Sequence, residues 1–143
     1  MNYDFNKCLK NKRIVTQAHA KNLIPGELSA SRTDFERTKK TYQEEDYKWS
    51  TIQAYYSMFH AARALLFNKG YREKSHICLK YALQELYVEE GILQKKFVDD
   101  FDVVMLLRET ADYKSDFSKE GAETAIKNAE KFLTVIRGVL KKS

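Results

Sequence analysis

The sequence predicts an all-α fold, an up-and-down bundle of four to five helices, from three observations. One Pro and only five Gly among 143 residues are too few breakers for the many tight turns of an all-β chain. Apolar residues make up 43% of the chain and aromatics 13%. That is core material enough without metal or disulfide staples, because a chain of this length buries roughly two-thirds of its surface on folding. Finally, apolar residues recur at spacings of three and four over long stretches, which is the period of a helix face.

The elements follow in order. Residues 1–45 are polar and weakly patterned. A short helix is expected over about Tyr3 to Leu9, and a second over about Arg13 to Leu23, stopped by Pro25-Gly26. A third, roughly Glu27 to Glu45, carries Ser31, Phe35, Thr38 and Tyr42 on one side and Lys39, Lys40, Glu44 and Glu45 elsewhere. It reads as an amphipathic surface helix with a thin apolar stripe. From Tyr47 to Asn68 the pattern changes: Ile52, Tyr55, Phe59, Ala62 and Leu66 form one row, and Ala54, Met58, Ala61 and Leu65 a second beside it. A helix apolar over most of its circumference must be surrounded, so this is the expected central helix. Asn68-Lys69-Gly70 supplies its stop, with Gly70 suited to a left-handed residue past the helix end.

After the basic turn Tyr71 to Lys74, Ser75 is placed to cap a helix running to about Glu89, with Leu79, Ala82 or Leu83, and Leu86 inward. Gly91 breaks the chain again. A long helix from about Leu93 to Tyr113 carries the stripe Phe97, Phe101, Val104, Leu107 and Ala111. Ser118 can cap the last helix, whose buried face reads Ala122, Ala125, Ala129, Phe132, Ile136 and Val139. Short connections between successive helices favour antiparallel neighbours. With no internal repeat, linker or low-complexity tract, residues 1–143 read as one domain.

Composition narrows the function classes. The start Met1-Asn2-Tyr3-Asp4-Phe5 lacks the basic and apolar regions of a signal peptide, and no apolar run approaches the ~18 residues of a membrane span. Cys8 and Cys78 match no metal spacing, so the expectation is a cytoplasmic protein with two ordinary reduced thiols. The net charge is +5, a balance compatible with RNA, DNA or an acidic partner. No Gly-rich phosphate loop, zinc-ligand cluster, HExxH pattern or nucleophile elbow is present, and neither a metal nor a cofactor is called for.

Several side chains stand out. Gln53, Ser57 and His60, followed by Arg63, form a polar strip along the otherwise apolar central helix. The strip fits a buried polar pocket or a site shared at a dimer interface; it also fits a solvent face or an internally satisfied hydrogen-bond network. His60 has the chemistry of a general acid or base near neutral pH. Arg72, Lys74 and His76 surround the start of a helix, where exposed backbone N–H groups favour an anion such as phosphate. Arg108 and Asp112 are spaced to pair on one helix face, with Tyr113 beside them. His19 has no partner in the sequence.

The run Ala54-Tyr55-Tyr56-Ser57-Met58-Phe59-His60-Ala61-Ala62-Arg63-Ala64-Leu65-Leu66 resembles the signature helix of HEPN-domain proteins. The likeness continues through Lys69-Gly70, Ser75-His76 and Arg108-Glu109-Thr110-Ala111-Asp112-Tyr113 to Phe132-Leu133, covering roughly residues 42–140, with residues 1–41 as a variable N-terminal part. The resemblance implies an up-and-down helical fold, a homodimer, and a gene neighbour encoding a minimal nucleotidyltransferase in a toxin–antitoxin pair. It further implies, for many members, a metal-independent endoribonuclease whose Arg is followed after four to six residues by a His. Here neither Arg108 nor Arg137 is followed by any His, Arg72 and His76 are too close and on another helix, and the spaced pair Arg13 and His19 lies in the polar N-terminal region.

Two functions follow. The first is a non-catalytic HEPN module that binds nucleotide or RNA, or pairs with a nucleotidyltransferase, with Arg63, Arg72, Lys74 and His76 facing phosphate. The second is an endoribonuclease toxin with a displaced site drawn from His60, His76, Arg63 and Arg72.

Overall fold

Helix α3 (Tyr47–Asn68) is the axis on which the molecule is built, in a computed structural model that describes residues 3–143. Met1 and Asn2, which open the segment read above as lacking a leader, lie outside the described residues. The chain runs α1 (Tyr3–Lys10), β1 (Ile14–Thr16), a 3₁₀ turn (Ala20–Leu23), α2 (Ile24–Gln43), α3, β2 (Tyr71–Glu73), α4 (His76–Leu83), a π-helical turn (Gln84–Val88), α5 (Lys95–Tyr113) and α6 (Lys119–Lys141). The fold is all-α apart from one antiparallel pair of three-residue strands.

The sequence explains why α3 sits at the centre. Both of its apolar rows, including Ala54, Tyr55, Met58, Ala62, Leu65 and Leu66, are buried. Helices α2, α5 and α6 pack around it. Tyr55 stacks on Phe101 of α5 at 5.6 Å, and Phe101 stacks on Phe132 of α6 at the same distance, so aromatic rings connect three helices through the core. The Asp46 carboxylate caps α3 by accepting from the Trp49 N–H, and Gly70 ends it at φ +84°, as expected of a left-handed glycine. Ser118 caps α6 through the Gly121 N–H, and the whole predicted face from Ala122 to Val139 is buried.

Four expectations are corrected. Residues 13–23 are not a helix: Ile14, Val15 and Thr16 pair with Glu73, Arg72 and Tyr71, and only Ala20–Leu23 forms a helical turn. Pro25 does not stop a helix but sits in the first turn of α2, where a missing N–H costs no hydrogen bond. The helix capped by Ser75 is regular only to Leu83. It then widens into the π turn, where the Glu89 N–H reaches back to the Gln84 carbonyl. Cys8 and Cys78 are not separate thiols: strand pairing and the packing of α1 on α4 bring their Cα atoms to 5.9 Å, and they form a disulfide. Helix α2 turns its expected stripe inward: Ser31 and Thr38 are buried against α3. No helix among the described residues is long and apolar enough to cross a membrane.

Candidate functional site

The polar strip of α3 is the seam between α2 and α3. The Ser31 hydroxyl donates to the Ser57 carbonyl at 2.7 Å, the Thr38 hydroxyl donates to the Ser50 carbonyl, and the Thr41 hydroxyl donates to the Gln53 side-chain oxygen at 2.8 Å. Ser57 is fully buried and donates to the Ala54 carbonyl of its own helix at 2.7 Å. At the top of the seam His60 lies between two α2 carboxylates, its Nδ1 at 2.7 Å from Glu27 and its Nε2 at 3.5 Å from Asp34. Arg63 grips Glu73 of β2 through Nε at 2.7 Å and Nη2 at 3.0 Å, and reaches Glu27 through Nη1 at 3.5 Å.

These charges hold one another. Burial alone would raise the Glu27 carboxyl, but the His60 hydrogen bond and the Arg63 charge outweigh it and hold Glu27 below the ordinary range. Burial pushes Asp34 up, against the attraction of His60 and Arg37. Burial would pull Arg63 down, yet its bonds to Glu73 and Glu27 raise it. Glu73 is buried, so this pair satisfies a carboxylate that would otherwise be costly in the interior. Two of the predicted site residues, His60 and Arg63, are therefore committed to carboxylates.

The basic turn divides its residues. On β2 Glu73 faces inward, while Arg72 before it and Lys74 just past the strand are exposed. His76 turns the other way: its ring stacks on Phe59 at 4.6 Å and its Nδ1 shares a hydrogen bond with the Tyr55 hydroxyl. The four phosphate candidates Arg63, Arg72, Lys74 and His76 thus do not converge on one point.

A different arginine joins His76. Arg108, on α5, donates from Nη2 to the Tyr56 hydroxyl at 2.8 Å and pairs with Asp112 at 3.1 Å. Its guanidinium carbon lies 5.7 Å from the Tyr55 ring, 5.2 Å from Tyr56 and 5.2 Å from Tyr113, a cation held among aromatic faces. The Arg108 side chain is only 12% exposed, and its buried Nε has no hydrogen-bond partner among the described residues. Desolvation first, then the Arg108 charge, hold the His76 imidazole below its ordinary pKa, so it favours the neutral form. Burial raises the Tyr55 phenol well above its usual range, which keeps its proton on. Arg108, His76 and the three tyrosines make a cation, a neutral imidazole and phenols in one place, from α3, α4 and α5. The sequence paired Arg108 with Asp112 and set Tyr113 beside them, but missed this assembly. One signal was there: Arg108 falls seven residues after Phe101 and four after Val104, on the inward stripe of its helix.

The chain matches the model of the HEPN domain over residues 28–139. It belongs to the HEPN-domain family. A provisionally named toxin of Methanocaldococcus jannaschii is 34% identical over 137 residues, which span 94% of this chain and 97% of that one. A UPF0332 protein of Archaeoglobus fulgidus is 33% identical over 110 residues, 73% of this chain and 85% of that one. The crystal structure of TT1696 from Thermus thermophilus superposes with a TM-score of 0.71 at 17% identity, covering 82% of this chain and 98% of that one, and speaks to the fold. Within the HEPN match lie the Arg108 assembly and all of the α2–α3 seam except Glu27, while α1 and β1 fall outside it.

Proposed function

We propose that this HEPN protein is toxin-like and engages RNA at Arg108 and His76. The observation that carries the reading is the Arg108 guanidinium: nearly buried, ringed by tyrosines, with a donor at Nε that nothing among the described residues accepts. A buried donor left unpaired costs about 1–3 kcal/mol, and such a cost is characteristic of groups kept for a ligand. A phosphate oxygen is the matching acceptor for guanidinium. Tyr56 and Tyr113 offer faces on which an unstacked base can rest. Tyr113 is 72% exposed and lies over Arg108, so its displacement opens the guanidinium to a ligand. The provisional toxin name of the 34%-identical relative supports the same reading.

Cleavage is the second reading, favoured by the depressed pKa of His76 beside Arg108. A neutral His76 takes the proton of a ribose 2′-hydroxyl; the 2′-oxygen attacks phosphorus, the bond to the 5′-oxygen breaks, and that oxygen collects a proton from water. Arg108 would stabilise the charge gathering on the phosphate. In this reading His76 takes the role that the family gives its motif histidine, from a different helix.

A partner fits the outer face of α5, where Val103 and Leu106 are 47% and 62% exposed at helical spacing. We assign that face to a second copy of the chain. The nucleotidyltransferase of a toxin–antitoxin pair is the partner that a strictly monomeric chain would point to instead.

The test uses a labelled oligoribonucleotide in excess chelator, with parent, His76→Ala and Arg108→Lys proteins. Binding by the parent that weakens at least tenfold in Arg108→Lys supports the site, since lysine keeps the charge but lacks Nε. Cleavage lost in His76→Ala makes the protein a ribonuclease. Unaltered binding in both variants would remove the site from consideration.

A further inference from the structure

The positive charge of this protein is concentrated in two short segments that the fold joins. Residues 7–13 and 69–74 together hold seven of the 25 Lys and Arg and one of the 20 Asp and Glu. Without them the rest of the chain has 18 basic against 19 acidic residues, so these segments account for the whole excess. They lie far apart in sequence. The antiparallel pairing of β1 with β2 brings them together, the Lys74 N–H bonds to the Arg13 carbonyl at 2.8 Å, and the Cys8–Cys78 disulfide ties α1 to α4. Lys7, Lys10, Lys12, Arg13, Lys69, Arg72 and Lys74 are all exposed, and none of the seven is ion-paired among the described residues. The one acid in the two segments, Glu73, is turned inward and neutralised by Arg63.

A groove runs between α1 and α4 along this basic face. Lys7, Asn11 and Arg13 line it from one side and Ser75 and Tyr81 from the other, over the disulfide; Asp4 also borders it. Cations with an aromatic ring in a groove suit a single strand, whose phosphates track the charge while a base rests on the ring. Ser75, on the border of the groove, precedes His76 in the chain.

We propose that the α1–β1–β2 face is a track for the backbone of single-stranded RNA, outside the Arg108–His76 site and leading to it. The proposal rests on RNA being the ligand of that site. Its ligands are the four cations Lys7, Arg13, Arg72 and Lys74, with Tyr81 as the stacking surface. Being electrostatic, the track binds any sequence and weakens with salt.

The test is fluorescence anisotropy of labelled oligouridylate between about 50 and 200 mM KCl, using the full chain. Neutralising the track with Lys7→Gln, Arg13→Gln, Arg72→Gln and Lys74→Gln should weaken binding at least tenfold at the lowest salt. The slope of log affinity against log salt should fall by about 3, from roughly 0.7 per phosphate contact on a single strand. Neutralising four lysines in and just past α6, Lys127, Lys131, Lys141 and Lys142, is the control and should change the slope far less. Equal losses in the two sets would mean general charge rather than a track, and would overturn the proposal. Displacement of the RNA by poly-L-glutamate at equal charge would assign the face to an acidic protein and overturn it too. The two readings fail separately. If Arg108→Lys weakens binding and the track variant does not, the site stands and the track falls. If only the track variant weakens binding, the Arg108 site falls, and the face binds RNA without leading to that site.

Discussion

Glu73 is the residue whose removal should be felt most. It is buried on β2 and holds Arg63 by two hydrogen bonds, and Arg63 in turn lies 4.5 Å over the Phe59 ring against which His76 stacks. Glu73→Gln leaves a half-buried guanidinium with only its longer contact to Glu27, and breaking such a pair costs about 3 kcal/mol. Urea unfolding should show that loss, and the double variant Glu73→Leu, Arg63→Met should lose less than the single one. A single variant with unchanged stability would mean that water replaces the carboxylate. His76 gives a pH signature. Its folded pKa lies below the ordinary 6.5, so the unfolded chain binds the proton first as pH falls. Its contribution to stability is complete above pH 6.5, declines as pH falls from 6.5 toward the lowered folded value, and is lost below it. His76→Phe should flatten that limb of the stability–pH curve. If His76 acts as the base in cleavage, the acid limb of the rate profile should likewise lie below pH 6.5.

At the scale of the element, the disulfide and the caps carry the clearest expectations. Cys8 and Cys78 close a loop across 70 residues, and a cross-link of that span stabilises by about 4 kcal/mol through the unfolded chain. Reductant should lower the urea midpoint of the parent and leave that of Cys8→Ser, Cys78→Ser unchanged; equal response of both proteins would contradict the bond. Ser118→Ala removes the acceptor at the start of α6 and should cost about 1 kcal/mol. The sequence was most legible in such long, capped elements. For α3, Asp46 before the first turn and Gly70 after the last bracket a sustained apolar pattern, and the expected bounds are those observed. It was least legible between residues 13 and 23. A three-residue strand has no period to read, and its partner lies more than fifty positions away. The same distance hid the disulfide. Pro25 misled because proline both ends helices and begins them, and the neighbouring residues do not say which.

For the whole molecule, the outcome is a division between two polar clusters. In the α2–α3 seam, His60 and Arg63 answer nearby carboxylates, and the hydroxyls of Ser31, Thr38 and Thr41 meet backbone or amide oxygens. That cluster is satisfied, and it holds two helices in register. Across the core, Arg108 keeps an unpaired donor beside a neutral imidazole. Periodicity could name Arg108, His76 and Tyr56 as polar residues on three helices, but only packing brings them together. The HEPN match reaches both clusters, so membership in the family does not choose between them; the state of the donors is what supports the Arg108 reading.

The chain has three histidines, His19, His60 and His76, so imidazole resonances followed by NMR during titration with oligouridylate separate the clusters directly. His76 should move, together with the Nε–H signal of Arg108, while His60 and His19 stay near their starting positions. Movement of His60 with a still His76 would contradict this reading, and would return the site to the α2–α3 seam.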